Sequence, residues 1–160
     1  MTSEIGLYAK KLTNLLEALA DAIEGLDEAQ LNWQPAVPES NSIYVIASHI
    51  LGNLEAWALG IACEQAVERD RAAEFRAAGP NAEPLVAQSR ELSRRIDEAL
   101  SALAASDLDV VREPSAALRG VGTPEPLTVR EALMVTFEHG TKHLGHLDIT
   151  RDLALASSKG

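Results

Sequence analysis

The segment Leu127–Ala156, LTVREALMVTFEHGTKHLGHLDITRDLALA, contains the clearest helix start in the chain and three of its four histidines. Thr128 and Glu131 have the spacing of a capping box, and Leu127 and Ala132 are placed as its hydrophobic staple. Polar and apolar residues then alternate with a helical period. The segment therefore predicts one long helix that runs to about Ala156.

The rest of the chain repeats this helical pattern, with prolines and glycines at the breaks. In the first segment, apolar residues recur at spacings of three and four from Ile5 to Ile23 and stop at Gly25. Asn41 or Ser42 is placed to cap a second helix. The predicted helices are residues 5–24, about 42–60 or beyond, roughly 84–104 and 128 to about 156, with a helical turn at 27–30 and an irregular crossing loop at 106–127.

Four long helices joined by two extended connections predict an all-α fold, a four-helix bundle. The chain has 160 residues, which is long enough to bury about 70% of the unfolded surface around one core. We therefore expect residues 1–160 to form a single domain.

The composition argues against two classes of binding partner, nucleic acids and anionic membranes. The net charge is −10, so the surface should repel nucleic acid and anionic membranes, and neither is expected as a partner. Cys63 is the single cysteine, which excludes an internal disulfide, and we expect it to be a small core residue. No signal peptide begins at Met1 and no uncharged apolar run approaches 18 residues, so a cytoplasmic protein is expected.

The histidines His139, His143 and His146 follow the spacing i, i+4 and i+7. At about 100° per residue, His143 lies roughly 40° from His139 and His146 roughly 20° to the other side. The same face carries Ala132, Val135, Thr136, Thr150 and Leu153, so all three rings are expected in the buried stripe of the helix. This spacing suits a divalent metal, which needs imidazoles side by side.

His49, on the second predicted helix, is placed to join this group. It lies about 12 Å from the start of its helix, and His143 about 20 Å before the end of the last one, so antiparallel helices would bring both to a similar depth. Hydrogen-bonded core histidines are the alternative. A zinc-protease site is excluded because Gly140 follows His139 where a glutamate is needed, and no histidine has the carboxylate that a ferritin-like di-iron site requires.

Two groups of residues, in order along the chain, resemble the DinB/YfiT-like metalloenzyme superfamily. The first is in the region of the second helix, and the second resembles the last-helix signature of the family. They are Leu31-Asn32-Trp33-Gln34-Pro35-Ala36, Asn41-Ser42-Ile43, His49 and Glu55-Ala56-Trp57, followed by Pro126-Leu127-Thr128 and the run from His139 to Arg151.

The resemblance implies a bundle of up-down-down-up topology that is often a homodimer. It also implies a divalent metal, zinc or nickel, held by His49, His139 and His143. Members of known activity are transferases of low-molecular-weight thiols or thiol-dependent isomerases. The position of His146 varies between histidine and glutamine in the family, which leaves a supporting or proton-carrying role open.

Three neutral imidazoles leave an ion its full charge and at least one open position, as in catalytic sites. We therefore expect a small-molecule transferase that uses a small thiol, with His146 as the residue that moves a proton. Metal-assisted hydrolysis and a non-catalytic dimeric metal- or ligand-binding module are the alternatives. In each case, metal affinity is expected to fall as the pH drops through the ordinary histidine pKa of about 6.5.

Overall fold

The computed structural model describes residues 3–120 and 122–157 and is mostly helical. Residues 1, 2, 121 and 158–160 of the predicted domain lie outside the described residues. The α-helices are α1 (Glu4–Ile23), α2 (Glu28–Asn32), α3 (Ile43–Leu54), α4 (Arg71–Glu74), α5 (Glu83–Ser101), α6 (Ala116–Arg119) and α7 (Val129–Ser157). A π-helical segment, Glu55–Ala62, continues α3, a 3₁₀ turn spans Ala105–Asp109, and the strands are β1 (Val111–Arg112) and β2 (Leu127–Thr128).

Side-chain caps fix the starts of the helices that carry the histidines. The Ser42 hydroxyl accepts a hydrogen bond from the Val45 N–H at 3.3 Å at the start of α3. At the start of α7, the Thr128 N–H donates to Glu131 at 2.7 Å and the Glu131 N–H donates to the Thr128 hydroxyl at 3.2 Å. Both predicted caps are confirmed, and each satisfies backbone N–H groups that the first helical turn leaves without partners.

The connection before α7 is more ordered than expected. Instead of an irregular loop, it contains the 3₁₀ turn, α6 and an antiparallel pair in which Val111 is opposite Thr128 and Arg112 is opposite Leu127. The expectation of an irregular loop is therefore corrected, and the described residues remain mostly helical. Strands of two residues are too short to leave a period-two pattern, which is why the sequence did not reveal them.

The four long helices pack side by side, α1 against α5 and α7, and α3 against α7 and α5. The segment Ile43–Ala62 is long and apolar enough to cross a membrane, but 83% of its most apolar window is buried inside the protein. That burial is typical of the core helix of a soluble protein. Gly140 lets α7 approach α1 closely, since a Cβ there would lie 2.9 Å from a methyl group of Leu15.

Candidate metal centre

His49 of α3 meets His139 and His143 of α7 between the two helices. The Nε2 atoms of His49 and His139 are 3.0 Å apart, and the ring centres of His139 and His143 are 4.4 Å apart. One ligand nitrogen from each of the three residues falls within 4.8 Å of the others. Histidines 90 residues apart in the chain are thus brought into one cluster.

Glu74 orients His49. Its carboxylate accepts a hydrogen bond from Nδ1 of His49 at 2.8 Å, and Arg69 donates to the same carboxylate from Nε at 2.7 Å and from a terminal nitrogen at 3.0 Å. A carboxylate on Nδ1 keeps the proton there and leaves the lone pair of Nε2 facing the cluster. Neither Glu74 nor Arg69 was among the site residues predicted from the sequence.

Gly52 makes room for this carboxylate. A Cβ at Gly52 would lie 2.8 Å from the carboxyl carbon of Glu74, which is closer than real Cβ contacts come. Gly52 follows His49 by three residues on α3, so it lies on the side of the helix from which Glu74 approaches. It is the one signal in the sequence from which a supporting group at this position could have been inferred.

The electrostatics of the cluster favour neutral imidazoles beside an ionised carboxylate. Burial, followed by the charges of neighbouring groups, lowers the pKa of His139 and of His143 to about 4. Burial alone would raise the pKa of Glu74, but the hydrogen bonds from His49 and Arg69, with the charge of Arg69, lower it. At neutral pH, His139 and His143 therefore carry free lone pairs, as metal ligation requires.

On α7, His139 lies at the edge of the buried stripe and His146 beyond it, while His143 lies within its angular range. The buried residues of α7 centre about 60° around the helix from His139, at 100° per residue. His139 and His143 are consequently half-buried, while His146, Val135 and Leu153 are exposed. The expectation of burial is wrong for His146, Val135 and Leu153, because the stripe is rotated away from them. It holds for Ala132, Thr136 and Thr150, which are buried, and in part for His139 and His143.

The centre of the His146 ring is 6.5 Å from that of His143, so His146 stands beside the cluster without joining it. Asn53 accepts a hydrogen bond from the Thr136 hydroxyl at 3.1 Å and so links α3 to α7. Burial raises the pKa of Cys63 to about 11, which leaves its thiol protonated, as expected of a packing residue.

A pocket of about 230 Å³ opens onto the cluster. The side chains that line it include His49, His139, Trp57, Arg71 and Arg119. A closed structural site would have protein in this position. The arrangement instead leaves space for a small molecule next to the imidazoles.

The donor set fits a divalent metal. Zinc–imidazole bonds of about 2.0–2.1 Å place two nitrogens on one ion roughly 3–4 Å apart. The 3.0 Å between the nitrogens of His49 and His139 is within that range, and the 4.8 Å span of the cluster requires only a small closing movement of His143. His49 would bind through Nε2, because Glu74 holds its Nδ1.

Comparisons with known proteins agree with this architecture. The sequence model of the mycothiol-S-transferase family matches residues 8–155. A DinB-like protein from Bacillus cereus ATCC 10987 has a similar structure, with a TM-score of 0.72, 18% identity, and 96% of this chain and 93% of that chain covered. For the DinB-like protein YjoA from Bacillus subtilis, the TM-score is 0.62 at 22% identity, with 94% and 92% covered.

A conserved protein from Enterococcus faecalis has the same fold, with a TM-score of 0.67, 14% identity, and 98% of this chain and 99% of that chain covered. No curated protein matches the chain. At these identities the solved structures show a shared fold, while the family model matches nearly the whole sequence. The chain therefore belongs to the mycothiol-S-transferase family of DinB-like proteins.

Proposed function

We propose that this protein is a divalent-metal-dependent S-transferase or thiol-dependent isomerase that uses a low-molecular-weight thiol. The observation that carries the proposal is the convergence of three imidazole nitrogens beside a pocket that two of these histidines line, in a chain of the mycothiol-S-transferase family. His49, His139 and His143 are the proposed ligands of the metal, and zinc or nickel is the proposed ion.

A bound divalent ion would supply Lewis acidity, which lowers the pKa of a thiol so that thiolate is available at neutral pH. The sulfur then forms a bond to an electrophilic carbon. In a substitution the leaving group departs with the electron pair of its bond to that carbon, and in an addition the atom at the other end of the opened double bond takes up the proton. His146 is the proposed acceptor of the thiol proton, since it is exposed and one turn from His143. Glu74 and Arg69 keep His49 in one orientation throughout.

We further propose a single-domain four-helix bundle of up-down-down-up topology. The start of α1 lies beside the start of α7 and beside the end of α5, while α3 and α7 run in opposite directions. The supporting pairs are Glu4 with Arg130, Ile5 with Leu100, His49 with His139 and Asn53 with Thr136.

A homodimer in the cytoplasm is proposed as the working form of the protein. Val135, Ile149 and Leu153 are exposed on one side of α7, which is the side that carries His146. An apolar strip of this kind supports burial against a second copy. Light scattering at micromolar concentration should report twice the 17.1 kDa chain mass, and Ile149→Glu should yield the monomer.

The test of function begins with metal analysis of protein purified without a histidine tag. Conjugation of small thiols to the neutral electrophile monobromobimane should follow metal content and stop after chelation. A His146→Gln variant should keep the metal and lose rate, because the proton acceptor is gone while the proposed ligands are intact. Full metal occupancy without any thiol conjugation, or with hydrolysis alone, would contradict the transferase proposal.

A further inference from the structure

The pocket above the histidines has a cationic wall. Arg69, Arg71 and Arg119 line it, and no acidic side chain is among the described residues that do so. This is unexpected in a chain of net charge −10. Chance placement on such a surface would surround a pocket with carboxylates, so the charge of the pocket points to its ligand.

Two of these arginines are positioned by named contacts. Arg69 is bound to Glu74 and donates to the Leu118 carbonyl at 3.1 Å, so its charge is matched by the carboxylate. The Arg71 guanidinium lies over the Phe75 ring at 4.6 Å, and Phe75 in turn packs on His49 with 4.9 Å between ring centres. The guanidinium of Arg71 forms no hydrogen bond or ion pair with any residue in the described ranges 3–120 and 122–157.

Gly120 allows the end of α6 to lie close to the segment that carries Arg69 and Arg71. It has φ +82°, which favours glycine, and a Cβ there would lie 3.0 Å from the Cδ of Arg71 and 3.2 Å from a guanidinium nitrogen of Arg69. The end of α6 therefore packs directly against the segment before α4. The cationic wall is thus part of the fold and does not consist of loose surface side chains.

Trp57 contributes a second, independent signal on the same pocket. It is 7% exposed, and its indole Nε1–H has no acceptor among the described residues although it is buried. A buried donor without a partner is costly, so an acceptor supplied by a bound ligand would satisfy this N–H. Trp57 lies in the π-helical segment that continues α3, and π-helical turns are frequent at functional sites.

We propose that this pocket binds a carboxylate carried by the substrate, with Arg71 as its ion-pair partner and the Trp57 indole as a hydrogen-bond donor. A planar carboxylate has acceptors for both a guanidinium fork and an N–H group. At about 230 Å³, the pocket is smaller than the roughly 300–1,000 Å³ of a drug-sized site, so it takes one end of a small molecule. The inference deepens the proposed function and rests on it for the identity of the reaction.

Binding is tested first by NMR, without any assay of activity. The chain has two tryptophans, so two indole N–H signals are expected, and Trp57→Phe identifies the signal of Trp57. Propionate should shift that signal in zinc-loaded protein, and propionamide should not. The shift should persist after chelation, because the carboxylate binds Arg71 and not the metal.

Arg71→Gln should weaken propionate binding at least tenfold, and Arg94→Gln, which removes the same charge on the exposed side of α5, should leave it unchanged. The proposal is overturned if propionate does not shift the Trp57 signal, or if the shift disappears on chelation. Equal weakening by both arginine variants would also overturn it, since that would reflect net charge alone. These outcomes stand whether or not thiol transfer is observed.

Kinetics then identify which substrate carries the carboxylate. If the thiol carries it, Arg71→Gln should raise KM about tenfold with mercaptoacetate as the thiol and leave KM unchanged with mercaptoethanol. If the electrophile carries it, the same variant should raise KM for iodoacetate and leave KM for iodoacetamide unchanged. A wild-type protein that transfers thiols without preferring mercaptoacetate to mercaptoethanol or iodoacetate to iodoacetamide would contradict the carboxylate proposal. That result would leave the transferase proposal intact.

Discussion

The α1–α5 contact and the α3–α7 contact join helices of similar kind but are built from different chemistry. Between α1 and α5 the buried side chains are almost all aliphatic, and Ser89 is the exception, donating to the Leu16 carbonyl at 2.7 Å. Between α3 and α7, the contact carries the three clustered histidines, Asn53 and Thr136. One contact therefore supplies stability, and the other gives up apolar burial to hold polar groups in place.

Removing one of the proposed metal ligands should have the largest effect, which is on metal binding. His139→Ala should abolish most metal binding, because two imidazoles remain where three were needed, yet the fold should persist since His139 is only half-buried. Metal analysis after gel filtration and circular dichroism measure the two properties. His146→Gln is the matched control and should retain the metal. Full stoichiometry in His139→Ala would contradict the assignment of the site to the α3–α7 contact.

Leu16→Ala should have the opposite effects, lowering the stability of the fold and leaving metal binding unchanged. Leu16 is fully buried between α1 and its neighbours, so truncation should lower the free energy of unfolding by about 2–5 kcal/mol. The folded fraction should bind metal as the wild-type protein does. Urea unfolding and metal titration under native conditions test this. Metal affinity that falls along with stability would show that the two contacts are coupled.

Glu74→Gln should lower metal affinity about 10–100-fold, because a neutral amide no longer fixes the proton of His49 and leaves Arg69 without its charge partner. Competition with a chromophoric chelator measures the change. Glu91→Gln on α5 removes a carboxylate that pairs with Arg94 far from the histidines, and it should bind metal normally. Unchanged affinity in Glu74→Gln would show that His49 needs no such support.

The stability of the metal-free protein should depend on the pH through His139 and His143. Folding lowers the pKa of His139 and of His143 from about 6.5 to about 4, so the unfolded chain binds their protons first as the pH falls. Metal-free protein should consequently lose stability between about pH 6.5 and pH 4. Variants that replace both histidines with glutamine should lose less, which thermal melts across this range will show.

The metal-dependent rise in Tm should persist to lower pH than the ordinary histidine pKa predicts. Protons compete for His139 and His143 in the folded protein as the pH approaches their lowered pKa of about 4. The difference in Tm between metal-loaded and chelated samples should remain near pH 5.5 and disappear towards pH 4. Its disappearance by pH 6.5 would mean that these imidazoles titrate as in water.

The sequence predicted most of what depends on local chemistry. The helices and the caps at Ser42 and Thr128 follow from spacing, since each is set within one or two turns of a helix. The proximity of His49 to His139 was expected from their similar depth on antiparallel helices, and the contact joins residues 90 positions apart. The burial of His146 was predicted wrongly because the position of the buried stripe on α7 depends on its neighbours.

The supporting residues were missed for a related reason. Glu74 lies in α4, a helix of four residues that is too short to leave a periodic pattern, and its contact with His49 spans 25 positions. Arg71 and Trp57 come to line the same pocket because α6 packs against the segment before α4 and a π-helical segment follows α3. Such long-range placement depends on tertiary packing, which has no counterpart in residue spacing.

Gly52 shows how this protein balances conformational stability against activity. A glycine inside a helix is typically about 0.5–1 kcal/mol less stable than alanine, so Gly52→Ala would be an early choice in any programme of stabilising substitutions. Here the added methyl group would push the Glu74 carboxylate away from His49. A selection for thermal tolerance alone would therefore favour a change that disables the candidate metal centre, although Gly52 itself offers no side chain to a ligand.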